Sequence, residues 1–380
     1  MNFELSEQQA AFRDLIRDFA RKSISPVARE WELAGRYPEE IINEMKQMGL
    51  FGILVPEEYG GTGIDAVSYS IVFEEISKAW MGVAGILGSH SLATLMLARF
   101  GTPDQRARWL PDLATGKRRS GIALTEPQAG SDATAITTLA RADGGDWRVS
   151  GRKAWVSLAG EADLFLVVCK TDTAPGHTDI ALLAVEAAAP GVSFPVLYRK
   201  AAAAFLPIGE MLLEDAPATL IAPPGSGMRA ALAAIDVARC DIAAIACGLH
   251  AEALDLALRY ARDRQAFGGP LLALDTIRFM LADVLTDLEA GRLLYARAAG
   301  LLGTPAGPAA VAHAKRFCPD AALRAAIACS EVFGAYGWLQ DTPLPRLITL
   351  AKMLQVVDGT AEIQRLVIGR ELARMAAALE

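Results

Sequence analysis

The chain predicts an α+β fold in three parts: an N-terminal α-helical domain over residues 1–117, a central antiparallel β-barrel or sandwich over 118–225, and a C-terminal four-helix bundle over 226–380. Three observations carry this. Apolar residues recur at helical spacing at both ends of the chain. Between about Ser120 and Ala222 the pattern changes to short apolar runs separated by turn residues. In the C-terminal half the breaks are short, so neighbouring helices are expected to pack antiparallel. Strand-like and helix-like stretches are segregated rather than alternating, which argues against βαβ units.

At the N-terminus, Ser6 is placed to cap a helix in which Phe12, Leu15, Ile16 and Phe19 form an apolar stripe. A second helix is expected from about Pro38 to Met48, stopped by Gly49, and Glu57 to Gly63 reads as a loop. Helices resume with Ile71, Phe73 and Ile76 and again with Leu92, Leu95 and Leu97, and Pro103 and Pro111 mark the end of this part. The expected strands are Gly121–Leu124, Asp146–Val149, Leu164–Val168, Ile180–Leu183 and Met211–Leu213, with Gly144-Gly145 as a hairpin turn. In the last part Ile277, Leu281, Val284 and Leu288 step at helical spacing, and Gly268-Gly269-Pro270, Gly303-Thr304-Pro305 and Asp341-Thr342-Pro343 are the breaks.

Composition narrows the function classes. In 380 residues, 52% are hydrophobic, so a large core is available. Charged residues make up 21%, low enough to suggest surface covered by other subunits. A net charge of -7 and the lack of basic runs with interleaved aromatics argue against nucleic acid. The five cysteines, Cys169, Cys240, Cys247, Cys318 and Cys329, are scattered and apolar-flanked, as expected of buried thiols in a reducing cytoplasm. The start is no signal peptide, and no apolar run reaches the ~18 residues of a membrane span. His90, His177, His250 and His313 have no partner at metal-ligand spacing, so no metal site is expected.

Several stretches could carry chemistry. In Val356-Val357-Asp358-Gly359-Thr360-Ala361-Glu362, Asp-Gly breaks an apolar run, Thr360 can cap the following helix and Glu362 lies in its first turn. A carboxylate held there against Leu354, Val356 and Val357 would have a raised pKa, as a general base requires; the same residues also fit an ordinary solvated turn. Leu124 to Asp132 places hydroxyls and small residues beside exposed amides, suited to a polyanionic or heteroaromatic ligand. Trp155, in Lys153-Ala154-Trp155-Val156-Ser157, can lie against a flat ring or fill a core. Arg264, three residues before Phe267, can reach a phosphate or remain a surface cation. Gly225-Ser226-Gly227-Met228-Arg229-Ala230 fits G-x-G-x-x-A, yet Pro223-Pro224 interrupts any strand before it and no βαβ unit surrounds it, so it reads as a loop before a helix.

Taken in order and spacing over the whole chain, the helical N-terminal part and the motifs at 124–132, 153–157, 264–270 and 358–365 resemble the acyl-CoA dehydrogenase family. The resemblance implies the three-part fold, FAD bound non-covalently without a Rossmann unit, a homotetramer, an acyl-CoA substrate and an electron-transferring flavoprotein as electron acceptor. Matched by position, Leu124, Thr125, Gly130 and Ser131 belong to the loop that lines the flavin and reaches toward the CoA arm. Trp155 and Ser157 match residues lying against the isoalloxazine. Arg264 and Phe267 match positions that hold the pyrophosphate and adenine from a neighbouring subunit. Glu331 and Gly334 match a loop that contacts the dinucleotide, and Thr360 and Glu362 match contacts on its AMP side. Asp236 and Arg239 match the helix that holds the pantetheine.

One departure bears on the chemistry. The family usually has Glu where Asp358 stands, removing the α-proton while hydride leaves the β-carbon for flavin N5; a subset places Glu just before the helix Arg, where this chain has Ala238. Asp is one methylene shorter, about 1.5 Å, and a misplacement of that size costs ~10²-fold unless the pocket compensates. The substitution points to an acyl group seated closer to the turn, such as a branched or cyclic one. The alternatives are a flavin oxidase resembling nitroalkane oxidases, which use Asp as base, and a redox-inactive flavin-binding member. Glu331 and Ala335 also depart from the family's Q-x-x-G-G-x-G loop, and Lys200 to Gly209 departs from its usual polar loop.

Overall fold

The computed structural model describes residues 4–173 and 179–379; His177 lies outside them. The N-terminal part opens with α1 (Glu7–Phe19), capped by Ser6 in a reciprocal capping box with Gln9. A short π-helical turn leads into α2 (Ser25–Ala34), followed by α3 (Glu39–Gln47). Gly49 adopts a left-handed φ of 73° just past its end.

The central element of this part is α4 (Ala66–Phe100), which leaves helical geometry at Trp80 (φ -161°, ψ 101°). The break produces two helical halves, as the two apolar stretches of the sequence imply. The halves fold toward each other: a Cβ on Gly88 would lie 3.3 Å from the Phe73 ring. Among the described residues α4 is also long and apolar enough to cross a membrane by length and composition, with mean hydropathy 1.5 over its best window, contrary to the expectation that no run reaches that length. Here 72% of that window is buried inside the fold. Pro103 and Pro111 do not end the helical part. They are the first residue and an interior residue of a further helix, α5 (Pro103–Ala114), whose N-cap is Thr102.

The β region contains β1 (Ser120–Ala123), β2 (Leu139–Asp143), β3 (Asp146–Ser157), β4 (Leu164–Thr171), β5 (Ile180–Glu186), β6 (Val192–Ser193) and β7 (Ile208–Ala222). Gly144-Gly145 closes the β2–β3 hairpin, with Asp143 opposite Asp146. The circuit β4-β2-β3-β7-β5 returns to β4, so the strands close into a barrel with β1 and β6 added at its margins. The barrel is not purely antiparallel as the sequence predicts: β1 and β2 each pair with β4 in parallel. The chain between β1 and β4 passes through β2 and β3, and that between β2 and β4 through β3, a nonlocal pairing that periodicity does not reveal. β4 is apolar and buried from Leu164 to Cys169, as expected of a strand covered on both faces.

The C-terminal part comprises α6 (Gly227–Asp263), α7 (Asp275–Gly300), α8 (Gly307–Phe333), α9 (Leu344–Leu354) and α10 (Ala361–Ala377), one more helix than the bundle the sequence predicts. The stripe on α7 is buried at Leu281, Val284 and Leu288. Helices α4 and α6 pack closely across the middle of the molecule; a Cβ on Gly248 would lie 2.1 Å from Ser77 Oγ. His90 and His250 are core residues: each is buried, with Nε2 facing backbone carbonyls, and burial pushes each imidazole down to about 4, so both are neutral. All five cysteines are buried and unpaired.

The Ala-rich stretch 200–209 inserts Phe205 into the core beside α4. Its ring packs 4.4 Å from Trp80, whose Nε1 donates to the buried Glu32 at 2.6 Å. Gly82 is required there, because a Cβ would meet Phe205 Cζ at 2.2 Å. Gly82→Ala is therefore expected to destabilise the fold by about 1–3 kcal/mol through overpacking. Thermal unfolding checks this, and an unchanged midpoint would mean that Phe205 is free to move aside.

Candidate active site

The turn between α9 and α10 presents Asp358 in the left-handed region (φ 55°), a conformation a short polar side chain tolerates, followed by Gly359 at φ 99°. The turn is pinned at two points. Arg239 Nε, from α6, donates to the Asp358 carbonyl at 3.0 Å, and Lys315 Nζ, from α8, donates to the Leu354 carbonyl at 2.6 Å. Gln364 Nε2 adds a bond to the Gly359 carbonyl at 3.0 Å, and Thr360 caps α10. Arg239 is itself oriented by Asp236, 3.0 Å away and one turn earlier on α6. The Asp358 N–H donates to no acceptor among the described residues and is available to an incoming oxygen.

Solvent reaches the Asp358 side chain from one side, while the protein side is densely packed. That crowding pushes the carboxyl above its ordinary value, and Lys315 and Arg239 pull against it. The sequence places an apolar wall around this residue; the structure corrects that. Leu354 is buried and Val357 partly so, but Val356 is 57% exposed, and the neighbours that matter are charged. Lys315 is 1% exposed and is lowered to about 8, chiefly by burial, with Asp358 opposing. Ala238 is buried and offers no second base on α6.

A second group of expected residues gathers at the mouth of the barrel. Leu124 and Thr125 accept hydrogen bonds from Lys153 Nζ (2.9 Å) and Ala154 N (2.9 Å), so the loop after β1 is tied to β3 next to Trp155. Trp155 has φ 57° and is 62% exposed, so it is not a core residue. Its ring lies 4.6 Å from Tyr198, whose hydroxyl donates to Glu210. Ser157 is partly buried on the same strand, and Gly130 and Ser131 are exposed in the loop. An outward-facing aromatic in a costly backbone conformation, beside a pinned polar loop, fits a flat heteroaromatic ligand.

A third group lies elsewhere. Arg264 lines an open groove of about 420 Å³ with Tyr260, Phe333 and Tyr336, next to Glu331 and Gly334 at the end of α8. Phe267 is 92% exposed at φ 51°. No described contact joins this group to Trp155 or Asp358. Thr360 and Glu362 follow Asp358 at the start of α10, where Glu362 pairs with Arg365 at 2.9 Å.

Lys315, Tyr198 and Asp241 are functional candidates that motif reasoning misses. A signal exists for two of them: each is a lone charge on an otherwise apolar helical stripe, Lys315 among Val311, Ala314 and Cys318, and Asp241 among Ala238, Ala244 and Ile245. Tyr198 lies in an irregular segment without periodicity.

Three family models cover most of the chain: the acyl-CoA dehydrogenase N-terminal domain over residues 6–117, the middle domain over 121–216 and the C-terminal domain over 225–373. The chain belongs to the acyl-CoA dehydrogenase family, a family of oxidoreductases. It is 37% identical over 374 residues to an acyl-CoA dehydrogenase of Bacillus subtilis, covering 97% of this chain and 98% of that one. Among solved structures, the butyryl-CoA dehydrogenase of Megasphaera elsdenii superposes with a TM-score of 0.94 at 31% identity, covering 98% of this chain and all of that one. A chain from the structure of the electron transferring flavoprotein of Acidaminococcus fermentans gives the same TM-score at 33% identity, covering 98% of this chain and 100% of that chain.

Proposed function

We propose that the protein dehydrogenates an acyl-CoA thioester between its α- and β-carbons, with Asp358 taking the α-proton. The observation that carries this reading is the Asp358 turn: a solvent-reachable carboxylate with an unengaged N–H, fixed through its own carbonyl by Arg239 and steadied by Lys315. The carboxylate accepts the proton while the Asp358 N–H receives the thioester oxygen as negative charge develops on it. Arg239 is committed to the base turn, so in this reading it positions Asp358, and Asp236 orients Arg239 while facing the pantetheine arm.

FAD is the family's cofactor, and the residues fit it: the exposed Trp155 face and the loop tied to β3 offer a flat surface edged by polar groups. When bound, FAD supplies the acceptor for the hydride from the β-carbon. Leu124, Thr125, Gly130, Ser131, Trp155 and Ser157 would hold the isoalloxazine side. Arg264, Phe267, Glu331, Gly334, Thr360 and Glu362 would hold the dinucleotide, the first two from a neighbouring subunit. Phe267, 92% exposed, is free to contact a neighbouring subunit, and the assembly proposed is a homotetramer. An electron-transferring flavoprotein is the proposed electron acceptor.

The shorter Asp favours an acyl group seated close to the turn, such as a branched or cyclic one. Anaerobic titration of the FAD-loaded protein with straight, branched and cyclic acyl-CoAs tests the reading by bleaching of the flavin absorbance. A yellow protein that no thioester reduces would instead favour a nitroalkane-oxidase-like enzyme. Faster reduction by straight-chain than by branched or cyclic thioesters would overturn the acyl preference alone.

A further inference from the structure

We propose that Asp241, Tyr69 and Ser91 form a polar subsite for an acyl chain that carries an N–H or O–H donor. The inference rests on the acyl-CoA reading above and narrows its substrate class.

Asp241 lies on α6 two residues after Arg239, the residue that fixes the base turn, and one turn past Ala238. It is 3% exposed. Tyr69, from the first half of α4 and 1% exposed, donates its hydroxyl to Asp241 Oδ2 at 3.1 Å. The other carboxyl oxygen, Oδ1, has no partner among the described residues. Ser91, from the second half of α4, is fully buried. Its Oγ lies close to the Tyr69 hydroxyl but without a well-aligned hydrogen bond, and it too lacks a partner.

The three residues meet for a structural reason. In a straight helix, residues 69 and 91 would stand ~33 Å apart. The break at Trp80 returns the second half of α4 alongside the first and brings both side chains to one place. Two buried polar atoms without partners in an apolar interior are destabilising unless something pairs with them. The neighbouring stripe of α6, with Ala238, Ala244 and Ile245, would otherwise suit a plain hydrocarbon chain.

The chemistry of the occupant follows from charge. Asp241 is within electrostatic range of Asp358, and Tyr69 already fills one of its oxygens as donor. Oδ1 is the open position, and it accepts a hydrogen bond when the carboxyl is ionised. It suits a hydroxyl or an ammonium group and disfavours a second carboxylate. Burial, opposed by the Tyr69 hydrogen bond and reinforced by Asp358, raises the Asp241 carboxyl well above its ordinary value, so the neutral acid is favoured, and a hydroxyl or ammonium donating to Oδ1 shifts it toward the carboxylate.

The test compares kcat/KM of the FAD-loaded enzyme within matched pairs: butyryl-CoA with 4-hydroxybutyryl-CoA, and hexanoyl-CoA with 6-hydroxyhexanoyl-CoA and 6-aminohexanoyl-CoA. The wild type is expected to prefer the donor-bearing member of at least one pair by on the order of 10-fold or more. Asp241→Leu should abolish or invert that ratio. Asp241→Asn, which keeps an acceptor oxygen and is nearly isosteric, should retain a preference for the hydroxyl and lose one for the amine; it decides the matter if the Leu variant does not fold. Equal ratios in the wild type and the variants, as when a water alone fills the site, would overturn the proposal, as would a wild type that prefers the unsubstituted chains. If no thioester of either kind reduces the flavin, the dehydrogenase reading itself fails.

Discussion

Asp358→Asn is expected to lower turnover by about 10²–10⁴-fold, the usual contribution of a positioned general base. The substitution keeps the backbone, and with it the carbonyl that accepts from Arg239 and the N–H offered to the thioester, so the geometry of the turn should survive. What disappears is the group that takes the α-proton. The decisive readout is exchange of the substrate α-proton with deuterated solvent, which separates proton removal from hydride transfer: it should vanish in the Asn variant while the flavin spectrum stays normal. Unchanged exchange would remove Asp358 from the mechanism. The pH dependence has a fixed sign. The base works as its carboxylate, and the crowded protein side raises the pKa, so kcat/KM should rise with pH through a value above that of an ordinary Asp. Lys315 limits that shift, because its ammonium favours the ionised carboxylate. Replacing Lys315 by Met should therefore move the acidic limb of the profile further up in pH.

The sequence made the three-part fold and the turn at Asp358 readable, for different reasons. Period and punctuation give the helices: the capping box at Ser6, the stop at Gly49 and the stripe on α7 each follow from local chemistry. The turn at Asp358 is likewise local, with Asp-Gly breaking the helix and Thr360 starting the next. Nonlocal arrangements were not readable. Nothing in the apolar runs distinguishes parallel from antiparallel pairing, so the β1–β4 and β2–β4 pairs were missed. The apolar wall expected around Asp358 failed at Val356 because a turn residue can face either way, and its orientation depends on what α6 and α8 bring to it. Lys315 and Arg239 arrive from residues that are distant in sequence and carry no motif linking them to the turn. Trp155 shows the same limit from the other side: a Trp on a strand fits a flat ligand or a core, and the left-handed backbone that accompanies its outward face is not written in the local pattern.

Lys153→Met is expected to destabilise the protein by about 3–5 kcal/mol, the cost of leaving one member of a buried ion pair alone. Lys153 and Glu126 are both enclosed, with Nζ 2.7 Å from Oε1. Glu126 also accepts from the Thr137 and Thr138 N–H groups at 2.7 and 3.0 Å, and Lys153 donates to the Leu124 carbonyl. Both pKa values fall, which favours the neutral form of the lysine and the charged form of the glutamate. Burial lowers Lys153 despite its partner, whereas Glu126 is held down at about 2, because the ammonium and the N–H donors overcome its own burial. The short contact inside a full set of donors supports the ion pair. The variant strands a carboxylate beneath Thr125, so loosening of that loop and loss of bound flavin should accompany the fall in stability, measured by denaturant unfolding and by flavin content at neutral pH. Replacing both partners with apolar residues, Lys153→Met with Glu126→Leu, should recover much of the loss, because no unpaired charge remains. A Lys153→Met protein as stable as the wild type would show that Glu126 is neutral in the fold. Acid provides an independent check. The carboxyl is depressed from its ordinary 4.5, so its contribution is complete above that value and is lost as pH falls from there toward about 2. Stability of the wild type should decline across that window more steeply than that of the double variant, which has no carboxylate there to protonate.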